Sequence, residues 1–297
     1  MNDIISWNYE QDSTIRSDAV RGMDHRAILE AGIVARGSDI AQVHGERLRE
    51  APILERFLEK ACLVMGSPFR GVGADLGAGT ATLAAILSRY PSVDKVFAVE
   101  YSRETVEKIM PLTFRRLKAD SRKITRVVGS FNQMRFEDNS LDFAVEVLSF
   151  HHSEDIGATL RETHRALKPG GWLVTIEKAW PNYLHNAVLE SRLDLELVPE
   201  LKERYGIPID QRFSRRMWGE HEYRVCDWVA NFAATGFETF AFYFLRKRKK
   251  PFHYVLKIAS WLVGDSLLKR RVDHSAMYPW FGKRGAYGKL LIVARKP

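Results

Sequence analysis

The stretch Gly71–Leu83 (GVGADLGAGTATL) leaves this chain few ways to fold. Val72, Ala74 and Leu76 alternate as in a short buried strand, and Asp75 stands at its end. Gly77 and Gly79 follow at once, before an apolar helix expected over Thr80–Tyr90. Glycines in such a turn remove the Cβ atoms that would hold a ligand away from backbone N–H groups. The next apolar strand, Lys95–Glu100 (KVFAVE), ends on a carboxylate 21 residues beyond Gly79. In nucleotide-binding α/β units, an acidic residue about 20 residues past the glycines takes the ribose hydroxyls.

From there strands and helices alternate. Ser102 is placed to cap a helix over Arg103–Leu117, which Pro111 must kink or split because it has no N–H to donate. Strands follow over Ile124–Gly129, Leu141–Phe150 and Trp172–Lys178, with a helix over Ile156–Leu167 and a turn at Lys168–Gly171. Helix Asp227–Thr235, with Gly236 as its stop, and strands Phe237–Leu245 and Lys289–Ala294 complete the pattern. Such alternation predicts crossover units and a doubly wound, mainly parallel seven-stranded α/β sheet, covered on both faces. Residues 1–65 read as a mobile polar arm (Met1–Met23) and a helical cap, with an amphipathic face through Ile40, Val43, Leu48, Ile53, Leu54, Phe57, Leu58, Cys62 and Leu63. Residues 66–297 read as the main domain, with insertions 179–226 and 246–286 forming the rest of a cap over the ligand crevice.

Five marks together resemble the class I S-adenosylmethionine-dependent methyltransferases, which have a Rossmann-like fold. They are Asp75-Leu76-Gly77-Ala78-Gly79, Glu100, the Asp138–Asp142 lead into the fourth strand, His151-His152 after it, and Leu167-Lys168-Pro169-Gly170-Gly171 before the fifth. The resemblance covers Gly71–Lys178 and names no methyl acceptor. It implies S-adenosyl-L-methionine as cofactor, with Asp75, Gly77 and Gly79 at its methionine portion and Glu100, followed by Tyr101, at the ribose. Ser130, Phe131 and Asn132 would flank the adenine, although the acidic residue usual after the third strand's glycine is absent here. Ala81 stands where the family has a third turn glycine, a change tolerable where a helix packs closely. A dinucleotide (NAD) site is the sharper rival, but it expects Gly or Ala three residues after Gly79, and Thr82 stands there.

His151 and His152 fall just past the fourth strand, at the crevice mouth, where a base could take the proton of a methyl acceptor. Packing or capping of the next helix is the structural alternative for either. Glu146 and Glu177 lie in apolar strands, where a carboxylate is costly unless paired or facing a ligand. Glu177, at a strand's carboxyl end, is the better candidate for an acceptor contact. Cys62 and Cys226 lack metal-type spacing and read as buried thiols in a reducing compartment, and no metal site is expected. The first residues lack an export signal pattern, and no long uncharged apolar run occurs, which makes a cytoplasmic enzyme the expectation.

The net charge of +8 is uneven: residues 246–297 carry +12 and the rest −4. Within that segment Arg246-Lys247-Arg248-Lys249-Lys250 and Lys269-Arg270-Arg271 bracket Trp261 and aliphatic neighbours. Such a pattern suits peripheral contact with an anionic membrane, suits RNA less well, and is also that of a solvated basic face. The expected acceptor is an oxygen of a small molecule, a glycan or a lipid-linked intermediate. An RNA methyltransferase, an NAD-dependent dehydrogenase and an inactive interaction module are the alternatives.

Overall fold

The computed structural model describes residues 4–7, 51–199, 202, 207–217, 219–245 and 288–297. Apolar segments form β1 (Ile4–Ser6), β2 (Gly71–Leu76), β3 (Val93–Glu100), β4 (Ile124–Val128), β5 (Leu141–Val147), β6 (Leu167–Ala179), β7 (Glu238–Leu245) and β8 (Gly288–Arg295). They make one sheet in the order β1-β4-β3-β2-β5-β6-β8-β7. All pairs from β1 to β6 are parallel, while β8 runs antiparallel to β6 and β7. The chain builds outward from β2 through β3 and β4, then returns to add β5 and β6 on the other side. A crevice therefore opens at the carboxyl ends of β2 and β5, where doubly wound sheets bind ligands.

Among the described residues the sheet has eight strands where seven were expected. The additional one is β1, so residues 4–7 do not belong to a mobile arm. Trp7 N–H donates to Val128 O at 2.9 Å, and the indole is only 8% exposed. It packs edge-on to Phe136 and fills the space over Gly129, where a Cβ would come within 2.2 Å of the ring. The remainder of the arm, residues 1–3 and 8–23, lies outside the described residues. So do Ile40, Val43 and Leu48 of the expected helical cap.

Helices cover both faces: α1 (Ala51–Met65), α2 (Thr82–Leu87) and α3 (Met110–Arg116) on one, α4 (Ile156–Ala166) and α6 (Val225–Ala234) on the other. Side chains alternate accordingly. Val145, Val174, Ile176 and Val293 join Leu58, Ile86 and Met110 in one core, whereas Leu76, Ala144, Leu173 and Ile292 join Leu160, Trp228 and Phe232 in the other. Each such buried Leu, Ile or Phe is worth about 1.5–3 kcal/mol. In α1 the buried stripe is Ala51, Leu54, Leu58 and Ala61, and the expected Ile53 and Leu63 are exposed. The step from 51 to 54 to 58 to 61 keeps one helix face inward, and Ile53 and Leu63 fall off it.

Pro111 acts as its chemistry requires. A π-helical turn, Thr105–Ile109, precedes α3, and Pro111 sits in the first turn of that helix, where a missing N–H costs nothing. Ser102 Oγ caps the entry by accepting from Thr105 N–H at 3.2 Å. Lys168–Gly171 is not a separate turn but lies inside the long strand β6, with Gly170 at φ +80°. Cys62 is half-buried and Cys226 exposed, so the two are not the buried thiols expected.

Part of the first insertion folds onto the carboxyl end of β5 and β6. It contains α5 (Asn186–Leu193) and is tied by Trp180 N–H to Tyr223 O at 2.9 Å and His221 N–H to His151 O at 2.9 Å. Lys202 staples its outer loop, donating to Gln211 O at 2.7 Å and Ile209 O at 3.0 Å while pairing with Glu196. The second insertion, 246–286, with its basic clusters, lies outside the described residues.

Candidate active site

The glycine turn leaves β2 and immediately bends back on the sheet. Gly77, at φ +67°, is in van der Waals contact with β5's outgoing chain: a Cβ there would lie 2.4 Å from Ser149 Cβ. Gly79, at φ +51°, differs, since a Cβ there would meet nothing within 4 Å. Its side faces open space, as a backbone that approaches a ligand should. Glu100 closes this cradle from β3. Its Oε2 accepts from Gly79 N–H at 2.8 Å and its Oε1 from Ser102 N–H at 3.0 Å, which fixes the carboxylate beside the turn. Tyr101 follows directly and is half-buried. An open glycine edge beside a fixed carboxylate fits the nucleoside and amino-acid portions of S-adenosylmethionine.

Asp75 lies underneath, 2% exposed, and its Oδ2 accepts from Ala84 N–H at 2.9 Å. Burial above all, and then the charge of Glu100, pushes its pKa up to about 7. It thus caps the first turn of α2 from the strand below, a role the motif alone did not disclose. Ala81 begins that helix in the left-handed region, φ 58° and ψ 38°, and is fully buried. The alanine therefore occupies a glycine conformation. Close packing does not by itself account for it, and an L-residue there costs about 1–2 kcal/mol.

The expected adenine flank is only partly available. Phe131 packs on Phe150 at 5.5 Å between ring centroids and reaches the Gly77 turn. Ser130 Oγ accepts from Asn132 N–H at 3.1 Å. Asn132 Oδ1 accepts from Thr159 Oγ1 at 2.8 Å, which ties its amide to α4.

At the end of β5, Leu148 takes φ +54°, uncommon for a bulky side chain, and the chain turns into a short 3-10 segment, Phe150–His152. Glu146 sets this turn from inside the sheet. Its Oε2 lies 3.1 Å from Ser149 N, 2.9 Å from Ser149 Oγ and 3.4 Å from Phe150 N, and Oε1 is buried without a hydrogen bond. Burial, then the nearby charge of Glu177, raises its pKa well above the carboxylate range. Ser149 Oγ also lies 2.9 Å from Leu76 O, and one hydroxyl proton cannot serve both contacts. A neutral Glu146 resolves this by donating to Ser149 Oγ, whose own proton goes to Leu76 O.

The turn delivers His151 onto Glu177. Nδ1 stands 2.8 Å from Oε2 and 3.0 Å from Oε1, and His151 N–H donates to Oε1 at 2.9 Å. With Glu177 as acceptor, the ring proton sits on Nδ1 and the lone pair on Nε2. His152 lies alongside, ring centroids 4.3 Å apart, with Nδ1 donating to Gly219 O at 3.1 Å. Glu177 thus orients a histidine; it is fully buried, and His151 itself is only 2% exposed.

Ser149, Lys178, Arg215, Glu220 and Glu222 join this cluster without a motif to mark them in the sequence. Glu220 pairs with Lys178 and with Arg215 at 2.8 Å, and Arg215 also meets Glu222 at 2.6 Å. Burial works to raise the pKa of Glu220, but the charge of Lys178 and the hydrogen bonds from Lys178 and Arg215, joined by His151 when its ring carries a proton on both nitrogens, outweigh it and hold it at about 2. The only sequence signal is acids at 220 and 222 in a segment rich in arginine, far from the motif block.

A family model described as a methyltransferase domain matches residues 74–175. The malonyl-[acyl-carrier protein] O-methyltransferase 1 of Coxiella burnetii is 33% identical over 122 residues, 41% of this chain and 38% of that protein. The demethylmenaquinone methyltransferase of Staphylococcus saprophyticus is 32% identical over 108 residues, 36% of this chain and 44% of that protein. The chain thus spans less than half the length of these curated relatives. Among solved structures, the geranyl diphosphate C-methyltransferase of Streptomyces coelicolor A3(2), in complex with Mg2+, geranyl diphosphate and S-adenosyl-L-homocysteine, superposes with a TM-score of 0.54. It is 18% identical, and the match covers 87% of this chain and 82% of that one, a likeness of fold.

Proposed function

We propose that this chain, which carries the fold and motif block of the class I S-adenosylmethionine-dependent methyltransferases, is an active methyltransferase acting on an acceptor oxygen. One contact carries the reading: Gly77 of the cofactor turn abuts Ser149 of the turn that presents His151. Cofactor cradle and candidate base therefore share one crevice. When bound, S-adenosylmethionine supplies an electrophilic methyl group and departs as S-adenosylhomocysteine. Glu100 would hold the ribose hydroxyls, and the open edge at Gly79 would admit the methionine portion. His151 accepts the acceptor's proton on Nε2 while Glu177 keeps the ring oriented through Nδ1. Positioned proton transfer of this kind contributes about 10²–10⁴ in rate.

The names of the relatives, a malonyl-[acyl-carrier protein] O-methyltransferase and a demethylmenaquinone methyltransferase, favour a small or carrier-linked acceptor over RNA. A glycan or lipid-linked acceptor, and docking of residues 246–271 on an anionic membrane, rest on the sequence alone. No described helix is long and apolar enough to cross a membrane.

Calorimetry with S-adenosylhomocysteine tests the cofactor assignment. Glu100→Ala should weaken binding by about 1–3 kcal/mol, the worth of charge-assisted bonds to hydroxyls. His151→Ala should leave that affinity intact and lower methyl transfer to thioester, quinol and prenyl acceptors by about 10²–10⁴. Binding of NAD without response to S-adenosylhomocysteine would move the chain to the dehydrogenases, and unchanged transfer in His151→Ala would remove the base.

A further inference from the structure

The fold assembles at the crevice mouth a donor set that no spacing in the chain announces. His151, His152 and Glu220 each bring one potential ligand atom within 4.8 Å of the others. All three are anchored from behind. Glu177 holds Nδ1 of His151 at 2.8 Å, and the carbonyl of Gly219 holds Nδ1 of His152 at 3.1 Å. A carbonyl oxygen only accepts, so the second ring, like the first, has its proton on Nδ1 and its lone pair on Nε2. On Glu220, Lys178 and Arg215 both grip the same oxygen, Oε2, so Oε1 is the one to serve as a ligand. A histidine whose far nitrogen is tied to a carboxylate or a backbone carbonyl is the usual outer support of a metal ligand.

We propose that His151, His152 and Glu220 form a binding site for a first-row divalent transition ion such as Zn2+, with two imidazole nitrogens and one carboxylate oxygen as ligands. Imidazole with a single carboxylate selects such ions over Mg2+ or Ca2+, which need oxygen donors throughout. Bonds of about 2.0–2.1 Å in a tetrahedral arrangement place ligand atoms about 3.4 Å apart. The ligand atoms lie within 4.8 Å of one another, so a bound ion would draw them closer, and His152 and Glu220 are the two less buried members. Three protein ligands leave a fourth position open to solvent or acceptor. Resting on the methyltransferase reading, one consequence follows: the ion takes the Nε2 lone pair of His151 that would receive the acceptor's proton, so filling the site must suppress methyl transfer.

Cobalt(II) titration of the full chain, followed by visible d–d absorption, tests the site without any turnover. One saturable equivalent is expected, displaced by Zn2+ and indifferent to excess Mg2+. His152→Ala and Glu220→Gln should each weaken it by more than the about 10–100-fold that loss of an outer-shell partner costs, and His185→Ala, outside the cluster, should leave it unchanged. Circular dichroism confirms folding, and His152→Asn replaces any variant that fails to fold. No saturable signal at one equivalent, or a signal that survives both substitutions, overturns the site. Saturable binding with methyl transfer undiminished upholds the site and removes His151 as the base. Absence of transfer under every condition with binding intact upholds the site and counts only against the methyltransferase reading.

Discussion

Replacing Glu146 by glutamine should cost less than replacing it by alanine at low pH, and that cost should shrink relative to the native residue as the pH rises. The side chain is fully buried, and its pKa is raised well above 4.5 by burial and by Glu177. In the folded chain it keeps a proton that the unfolded chain releases above about 4.5. Between that value and the raised one, the unfolded state binds fewer protons, so native stability from this group falls with rising pH. The slope reaches about 1.4 kcal/mol per pH unit for one proton. Below the unfolded value the contribution is fully present, and glutamine has no such dependence at any pH. Ser149 N, Ser149 Oγ and Phe150 N all meet the same atom, Oε2, so a glutamine oxygen there keeps both N–H partners but offers Ser149 Oγ no proton and leaves its NH2 at the buried Oε1 position, a direct cost of about 1–3 kcal/mol. Alanine strips the partners of Ser149 N, Ser149 Oγ and Phe150 N together. With one or two of these donors orphaned at about 1–3 kcal/mol each, a loss of about 3–5 kcal/mol is expected. Urea unfolding at pH 5, 6, 7 and 8 on the three proteins reads both effects. A native-minus-glutamine difference that stays flat across this range, or a glutamine cost as large as alanine's, would refute a neutral Glu146.

Two further substitutions probe the supports of the crevice. At Ala81, glycine relieves about 1–2 kcal/mol of left-handed strain but loses a buried methyl worth about 0.8 kcal/mol and some unfolded-state entropy. Ala81→Gly should therefore be near neutral in thermal unfolding and Ala81→Val should cost about 2 kcal/mol or more; a glycine loss equal to valine's would contradict the observed φ. Trp7→Ala should cost about 3 kcal/mol and speed amide exchange in Arg126–Val128, and unchanged exchange would mean that β1 is not held by its indole.

The cofactor half of the candidate site could be proposed from the chain because its parts are local. Strand, glycine turn and helix follow one another within Gly71–Leu87, and Glu100 ends the very next strand, so spacing alone carries the geometry. Alternation gave the parallel sheet for the same reason. The proposed acceptor half showed in the chain only as isolated residues. His151, in the 3-10 turn after β5, and Glu177, on the adjacent β6, stand 26 positions apart, and only the register that sets Val147 against Ile176 reveals that they meet. Glu220 arrives from an insertion whose path no periodicity encodes. Trp7 was missed because a three-residue strand is too short to show alternation. Its signal, an aromatic following Ile4-Ile5, is visible only once Gly129 is known to need covering.

That short strand has a bearing on solubility. With β1 in place, β4 is an interior strand; without it, the amides and carbonyls of Ile124–Val128 become an open edge on a chain of high β-propensity. Open edges of this kind template pairing with other chains, and natural proteins blunt or cover them. Three residues and one indole thus act as a guard against aggregation. Any shortening that removes residues 4–7 should be judged by its effect on self-association before its effect on catalysis.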